Sequence, residues 1–201
     1  MIKLHGTSMS RAARSLWALE ELGVKYEHLP VAVPDSRKPE HLKINPNGHI
    51  PAIDDAGTIV WESMAINLYL AEKYGKNTLW PASVEDHAAC YQWSFWGMTE
   101  IEPPLMTILV NRVFAPPEHR NEQAAVKAIE ELKQPLKVLD AHLHNREYLL
   151  DKEFTIADLN VASVLGLSMF AKLDLSATPA AQKWLQKCMG RPANQKAASM
   201  K

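Results

Sequence analysis

The chain has 201 residues, of which 47% are hydrophobic and 22% charged, with a formal net charge of −1. This is the balance of an ordinary globular protein with room for one large domain or two small ones. Near-neutral charge with dispersed basic residues argues against nucleic acid or an anionic membrane as partner. No apolar run approaches the ~18 residues of a membrane span, and the opening MIKLHGTSMS lacks the apolar stretch of a signal peptide; a cytoplasmic location is expected. The two cysteines, Cys90 and Cys188, form no C-x-x-C pair and the eight histidines are scattered, so no metal site is expected.

In chain order, residues 2–6 (IKLHG) are a short strand candidate. A helix follows, with Ala13, Leu16, Trp17 and Leu22 at three-to-four spacing and Glu20 and Glu21 on the other side. Ser10 is placed as its N-cap, Arg11 as its first residue, and Gly23 in the C′ position that ends it. Residues 26–33 (YEHLPVAV) are a second strand, which makes a β-α-β unit with a parallel pair. PEHLKI is at most a short helix. In NPNGHIPAIDDAGTIVWE, the runs AI and TIVW flank Asp54-Asp55-Ala56-Gly57, a hairpin signal. Ser63 then caps a helix carrying Ala65, Ile66, Tyr69, Leu70 and Tyr74, stopped by Gly75. An α/β domain therefore spans residues 1–76.

Residues 77–84 read as a linker, and residues 85–201 as an all-α domain without strands. Helices are expected over 86–114, kinked or broken by Pro103-Pro104, and over 121–145, bent or interrupted by Pro135. Two more are expected over 154–173, apolar nearly all round, and over 179–189. The tail from Arg191 is polar and expected to fray. Thr155-Ile-Ala-Asp158 has capping-box spacing, with Phe154 and Leu159 as a hydrophobic staple; this pair reads as structural.

Thr7, Ser8 and Ser10 set three hydroxyls at the entrance of the first helix, where the positive end of the helix favours an anion. Ala13 stands where a capping box needs Glu or Gln, so Ser10 is not tied into a reciprocal cap. Capping and a bound ligand both remain open from this stretch alone.

SMSRAARSLWALEELG, NPNGHIPAI, WESMAINLYLAEKYG, FTIADLNVASVL and GRPANQKA, in that order over nearly the whole chain, resemble the cytosolic glutathione S-transferases, of a bacterial theta/phi-like serine type. The resemblance implies a thioredoxin-like N-terminal domain, an all-helical C-terminal domain and a homodimer. It implies glutathione as co-substrate, no metal, and a detoxifying transfer to a small hydrophobic electrophile. It makes the Ile50-Pro51 bond cis, with the Ile50 backbone pairing with the cysteinyl part of glutathione. Glu62 and Ser63 match the residues that hold the γ-glutamyl end, Glu62 accepting from the ammonium and Ser63 donating to the carboxylate. His49 is carried over as a contact to the glycyl part, more pH-sensitive than a lysine there. Ser10 aligns with the serine that meets the glutathione sulfur; Ser8 is the alternative and Thr7 the third choice. Its role is to donate to a thiolate that attacks the electrophile. The first helix of the C-terminal domain is expected to line the electrophile pocket, with Trp93, Trp96 and Glu100 on one face. Two other functions fit the same scaffold: a glutathione-dependent disulfide reductase or peroxidase, and a non-catalytic binding protein. Intact Pro51, Glu62 and Ser63 argue against the last.

Overall fold

Ile2 and Leu4 are buried and Lys3 between them is exposed, so the first strand, β1 (Ile2–His5), packs one face on the core. The structure, a computed structural model, describes residues 1–200 and divides them into two compact units. One is Met1–Ser83 together with the segment from Gly190 onward; the other is Val84–Met189. The sheet of the first unit has the order β2-β1-β3-β4. β2 (Tyr26–Leu29) runs parallel to β1, while β3 (Ala52–Asp55) and β4 (Thr58–Trp61) form an antiparallel hairpin, β3 also antiparallel to β1. β2 stops at Leu29 rather than reaching Val33, because Pro30 has no N–H to give a ladder. The hairpin turns at Ala56 and Gly57, both at positive φ, the geometry that matches strand twist.

Between β1 and β2 lies α1 (Ala12–Leu22), closed by Gly23 in the left-handed conformation. It packs on α3 (Ser63–Tyr74) and on a C-terminal helix, Pro192–Ser199. The polar tail is thus helical rather than frayed, and it belongs to the first unit rather than to the helical one. Charge explains the docking. Glu21 accepts from both Arg191 Nε (2.6 Å) and Nη2 (2.9 Å) and from Trp17 Nε1 (2.9 Å). Glu20 pairs with Lys196 at 2.5 Å and accepts the Tyr26 hydroxyl at 2.6 Å. The face of α1 opposite its apolar stripe is therefore used, not solvated.

The hairpin is tied to α3 through Asp55. Its buried Oδ2 accepts from Lys73 Nζ (2.6 Å), Tyr74 OH (2.7 Å) and Tyr69 OH (2.8 Å). Burial alone would raise this carboxyl; the hydrogen bonds from Lys73, Tyr74 and Tyr69 outweigh it and hold it below the usual carboxylate range. A carboxyl depressed below its unfolded value of about 3.9 adds stability above that pH and loses it as pH falls through the folded value. Asp55→Asn should therefore flatten the acid limb of the stability–pH curve below about pH 4. Thermal melts across pH check this, and an unchanged limb contradicts it.

The second unit is helical. The expected helix over 86–114 is two helices, α4 (Val84–Trp96) and α5 (Glu102–Leu109), each continued by a π-helical turn, Gly97–Ile101 and Val110–Phe114. Pro103 and Pro104 sit in the first turn of α5, where a missing N–H costs nothing. Pro135 neither stops nor divides α6 (Glu122–Leu143); it is buried within a continuous helix. Gly166 divides the apolar segment into α7 (Ile156–Leu165) and α8 (Leu167–Phe170), and α9 (Pro179–Met189) follows. Almost every side chain of α7 is buried, as its uniform apolarity implies. The architecture is a thioredoxin-like α/β unit and an all-α unit. Among the described residues no helix is long and apolar enough to cross a membrane.

Candidate functional site

The segment joining α2 (Pro39–Leu42) to β3 is built from turn chemistry. Asn45 accepts the Asn47 N–H on its side chain (3.1 Å) and the Gly48 N–H on its carbonyl (2.9 Å), an Asx-type turn. Gly48 turns at positive φ and its carbonyl accepts from Ser36 Oγ at 2.6 Å. The chain then enters β3 through a cis Ile50-Pro51 bond. On the other side of β4, Glu62 is held at φ 72° and ψ 119° directly before α3. A glutamate there costs about 1–3 kcal/mol, and such strain clusters at ligand sites. Glu62 keeps its side chain exposed, while Ser63, at the first turn of α3, is buried with Arg14 Nη1 at 3.5 Å from its hydroxyl.

These elements converge. Arg11, Asn45, His49, Ile50, Pro51, Glu62 and Ser63 line one small cleft of about 30 Å³, open to solvent. Five of the seven are the residues named from the sequence as glutathione contacts. Arg11 and Asn45 are the additions. Asn45 could have been found from its turn motif; Arg11, like Arg14, offers positive field at the entrance of the first helix, but an arginine there is more often solvated or structural. The cleft opens on the amino end of α3 and carries one guanidinium and one carboxylate, so it can hold a zwitterionic ligand group.

None of the three hydroxyls is among the lining residues, although Arg11, next to Ser10, is. Gly6 brings the chain out of β1 at φ +149°, and a Cβ there would meet the Ala12 Cβ at 2.6 Å, so the hydroxyl turn sits tightly on α1. The Ser10 hydroxyl donates to the Thr7 carbonyl (2.7 Å) and its oxygen accepts the Ala12 N–H (3.1 Å). The N-cap position of α1 is Arg11, not the expected Ser10, and Arg11 makes no side-chain cap bond; Ser10 instead closes the turn just before the helix and takes up its first N–H. Ser8 donates to the Met200 carbonyl at 2.5 Å, which fastens it to the C-terminal helix. Thr7 Oγ1 accepts weakly from the Met9 N–H at 3.4 Å.

In the helical unit, Trp93 is buried and packs edge-on to Trp96 (centroids 5.0 Å) and against His142 (4.7 Å). That is core packing. Trp96 is half-buried, and Glu100 is exposed in the π-helical turn. Both cysteines are buried, and burial pushes the Cys90 thiol up to about 12, which makes it inert as a nucleophile. Among the described residues no group of three His, Cys, Asp or Glu is placed to hold a metal ion.

A family model described as the glutathione S-transferase N-terminal domain matches residues 1–72, and one described as the C-terminal domain of the same family matches residues 101–192. The chain belongs to the glutathione S-transferase family. This glutathione S-transferase is 33% identical over 205 residues to glutathione S-transferase 4 of Zea mays, covering 98% of this chain and 92% of the relative. It is 31% identical over 201 residues to GstB of Escherichia coli K12, covering 98% and 97%. The theta class glutathione S-transferase of Xanthomonas axonopodis pv. citri, solved with glutathione bound, superposes with a TM-score of 0.91 at 26% identity, covering 100% of this chain and 98% of that one.

Proposed function

We propose that this transferase binds glutathione in the cleft of its first unit, ionises the thiol, and directs the thiolate at a small hydrophobic electrophile. The observation that carries the reading is the convergence of His49, Ile50, Pro51, Glu62 and Ser63 on one cleft at the amino end of α3. Glu62 accepts from the γ-glutamyl ammonium. Ser63 and the first amides of α3 donate to its carboxylate. Ile50 offers its main chain to the cysteinyl part, and His49, exposed at the rim, meets the glycyl end.

Ser10 then supplies the donor for sulfur. Its hydroxyl turns from the Thr7 carbonyl toward the thiol while its oxygen keeps accepting the Ala12 N–H. A hydroxyl donor and the α1 N-terminus favour the thiolate over the thiol. Sulfur forms a bond to the electrophilic carbon; the leaving group departs with its electron pair, or an adduct forms and is protonated. The thiol proton passes to solvent.

Glu62→Ala and Ser63→Ala should each weaken glutathione binding about tenfold or more, the worth of one hydrogen bond to a charged group. Calorimetric titration measures it. Wild-type affinity in both variants contradicts the placement of the γ-glutamyl end.

A further inference from the structure

The ligand-facing backbone of the cleft is held from beneath by a side chain that does not line it. His41, on α2, is 5% exposed, and its Nε2 lies 2.8 Å from the His49 carbonyl oxygen. Asn45, 1% exposed, donates its Nδ2 to the same oxygen at 2.8 Å. A carbonyl can only accept, so the His41 ring carries its proton on Nε2. Its Nδ1 is buried and has no hydrogen-bond partner, so the other ring nitrogen is used for nothing else in the fold. The His5 ring stands beside it, centroids 6.2 Å apart. The preceding carbonyl, of Gly48, is fastened by Ser36. Both carbonyls immediately before Ile50 are therefore fixed by buried side chains, and with them the plane of the His49-Ile50 peptide, which contains the Ile50 N–H.

We propose that His41 is a positioning residue for glutathione: its Nε2–H clamps the His49 carbonyl so that Ile50 meets the ligand main chain already aligned. This rests on the binding reading above. Pairing between two main chains tolerates little misalignment, and a loop that must be ordered on binding loses affinity. The clamp acts on ligand binding rather than on the sulfur chemistry, which belongs to the α1 entrance.

The test compares His41→Gln with His41→Asn in the full chain. A glutamine amide reaches the position of Nε2 and restores the donor; an asparagine amide is too short. Both place a polar group in the same buried site, so a merely structural role penalises both. Asn should raise the Kd and KM for glutathione about tenfold, the worth of one lost hydrogen bond to a buried acceptor, with kcat at saturating glutathione and the KM for the electrophile little changed. Gln should stay close to wild type. Hydrogen exchange at the Ile50 amide gives a second readout, faster in Asn than in Gln. Equal Kd values and equal exchange for Asn and wild type overturn the clamp while leaving the glutathione site intact, as does an equal loss in both variants. A wild-type protein that does not bind glutathione overturns both readings together.

Discussion

Ser10→Ala should lower turnover about 100-fold at saturating glutathione, the loss expected when one donor to a developing or stabilised anion is removed. Affinity for glutathione should change far less, because the γ-glutamyl and cysteinyl contacts are untouched. The same substitution removes the oxygen that accepts the Ala12 N–H, so it should also cost about 1 kcal/mol of stability as a lost hydrogen bond. Ser10→Thr separates the two effects: it keeps a hydroxyl for both, and should retain most of the stability and more of the turnover than alanine. Ser8→Ala should be close to wild type in rate, since the proposal gives the sulfur to Ser10 and leaves the Ser8 hydroxyl on the Met200 carbonyl. Steady-state kinetics with a chromogenic electrophile read all three. A large rate loss in Ser8→Ala with none in Ser10→Ala would move the sulfur donor to Ser8.

The largest effect on stability is expected at Asp158, in the helical unit. Its Oδ1 accepts from the Leu149 N–H (2.8 Å) and Trp184 Nε1 (2.9 Å); its Oδ2 accepts from the Thr155 N–H (3.0 Å) and Thr155 Oγ1 (3.2 Å). The carboxyl thus closes the capping box of α7, fixes the segment after α6 and holds α9. Burial pushes this carboxyl up, against the donors that favour its ionised form. Asp158→Ala leaves several buried donors without an acceptor and should cost about 4 kcal/mol. For a chain of this length that is a fall of roughly 8–16 °C in Tm. Asp158→Asn keeps one acceptor oxygen and should lose less. Thermal or urea unfolding decides; a change under about 1 kcal/mol in the alanine variant contradicts the network's role.

The fold was legible where local rules are strong. Three-to-four spacing marked α1, and the turn Asp54-Asp55-Ala56-Gly57 between AI and TIVW marked the hairpin. It was illegible where a distant partner decides the outcome. The tail reads as polar and frayed until Arg191 and Lys196 meet Glu21 and Glu20, some 170 residues earlier for the Arg191–Glu21 pair. Pro135 reads as a helix breaker, yet the packing of α6 keeps the helix whole around it. The break in the 86–114 segment was legible in Pro103-Pro104, whereas the π-helical turn just before them has no signature in periodicity.

The candidate site shows the same pattern. Pro51, Glu62 and Ser63 were legible through the family resemblance, because motif order carried them. Nothing local pointed to the strained φ of Glu62, which only the β4–α3 connection imposes. His41 was invisible as well: a histidine in a short helix gives no sign that its ring turns inward to the His49 carbonyl. Trp93 and Trp96 looked like a pocket face because spacing cannot tell a lining aromatic from a packed one. His142, half the domain away in sequence, settles Trp93 as packed.

Thiol ionisation on binding is the most direct measurement. Purified protein is titrated with glutathione across pH while the ultraviolet thiolate band is followed, with Ser10→Ala and protein-free glutathione beside it. Bound glutathione should ionise well below the value of about 8.5 typical of a free thiol, and Ser10→Ala should remove most of that shift. Glutathione that binds with an unshifted thiol, or a shift that survives intact in Ser10→Ala, would contradict thiolate activation by the hydroxyl at the α1 entrance.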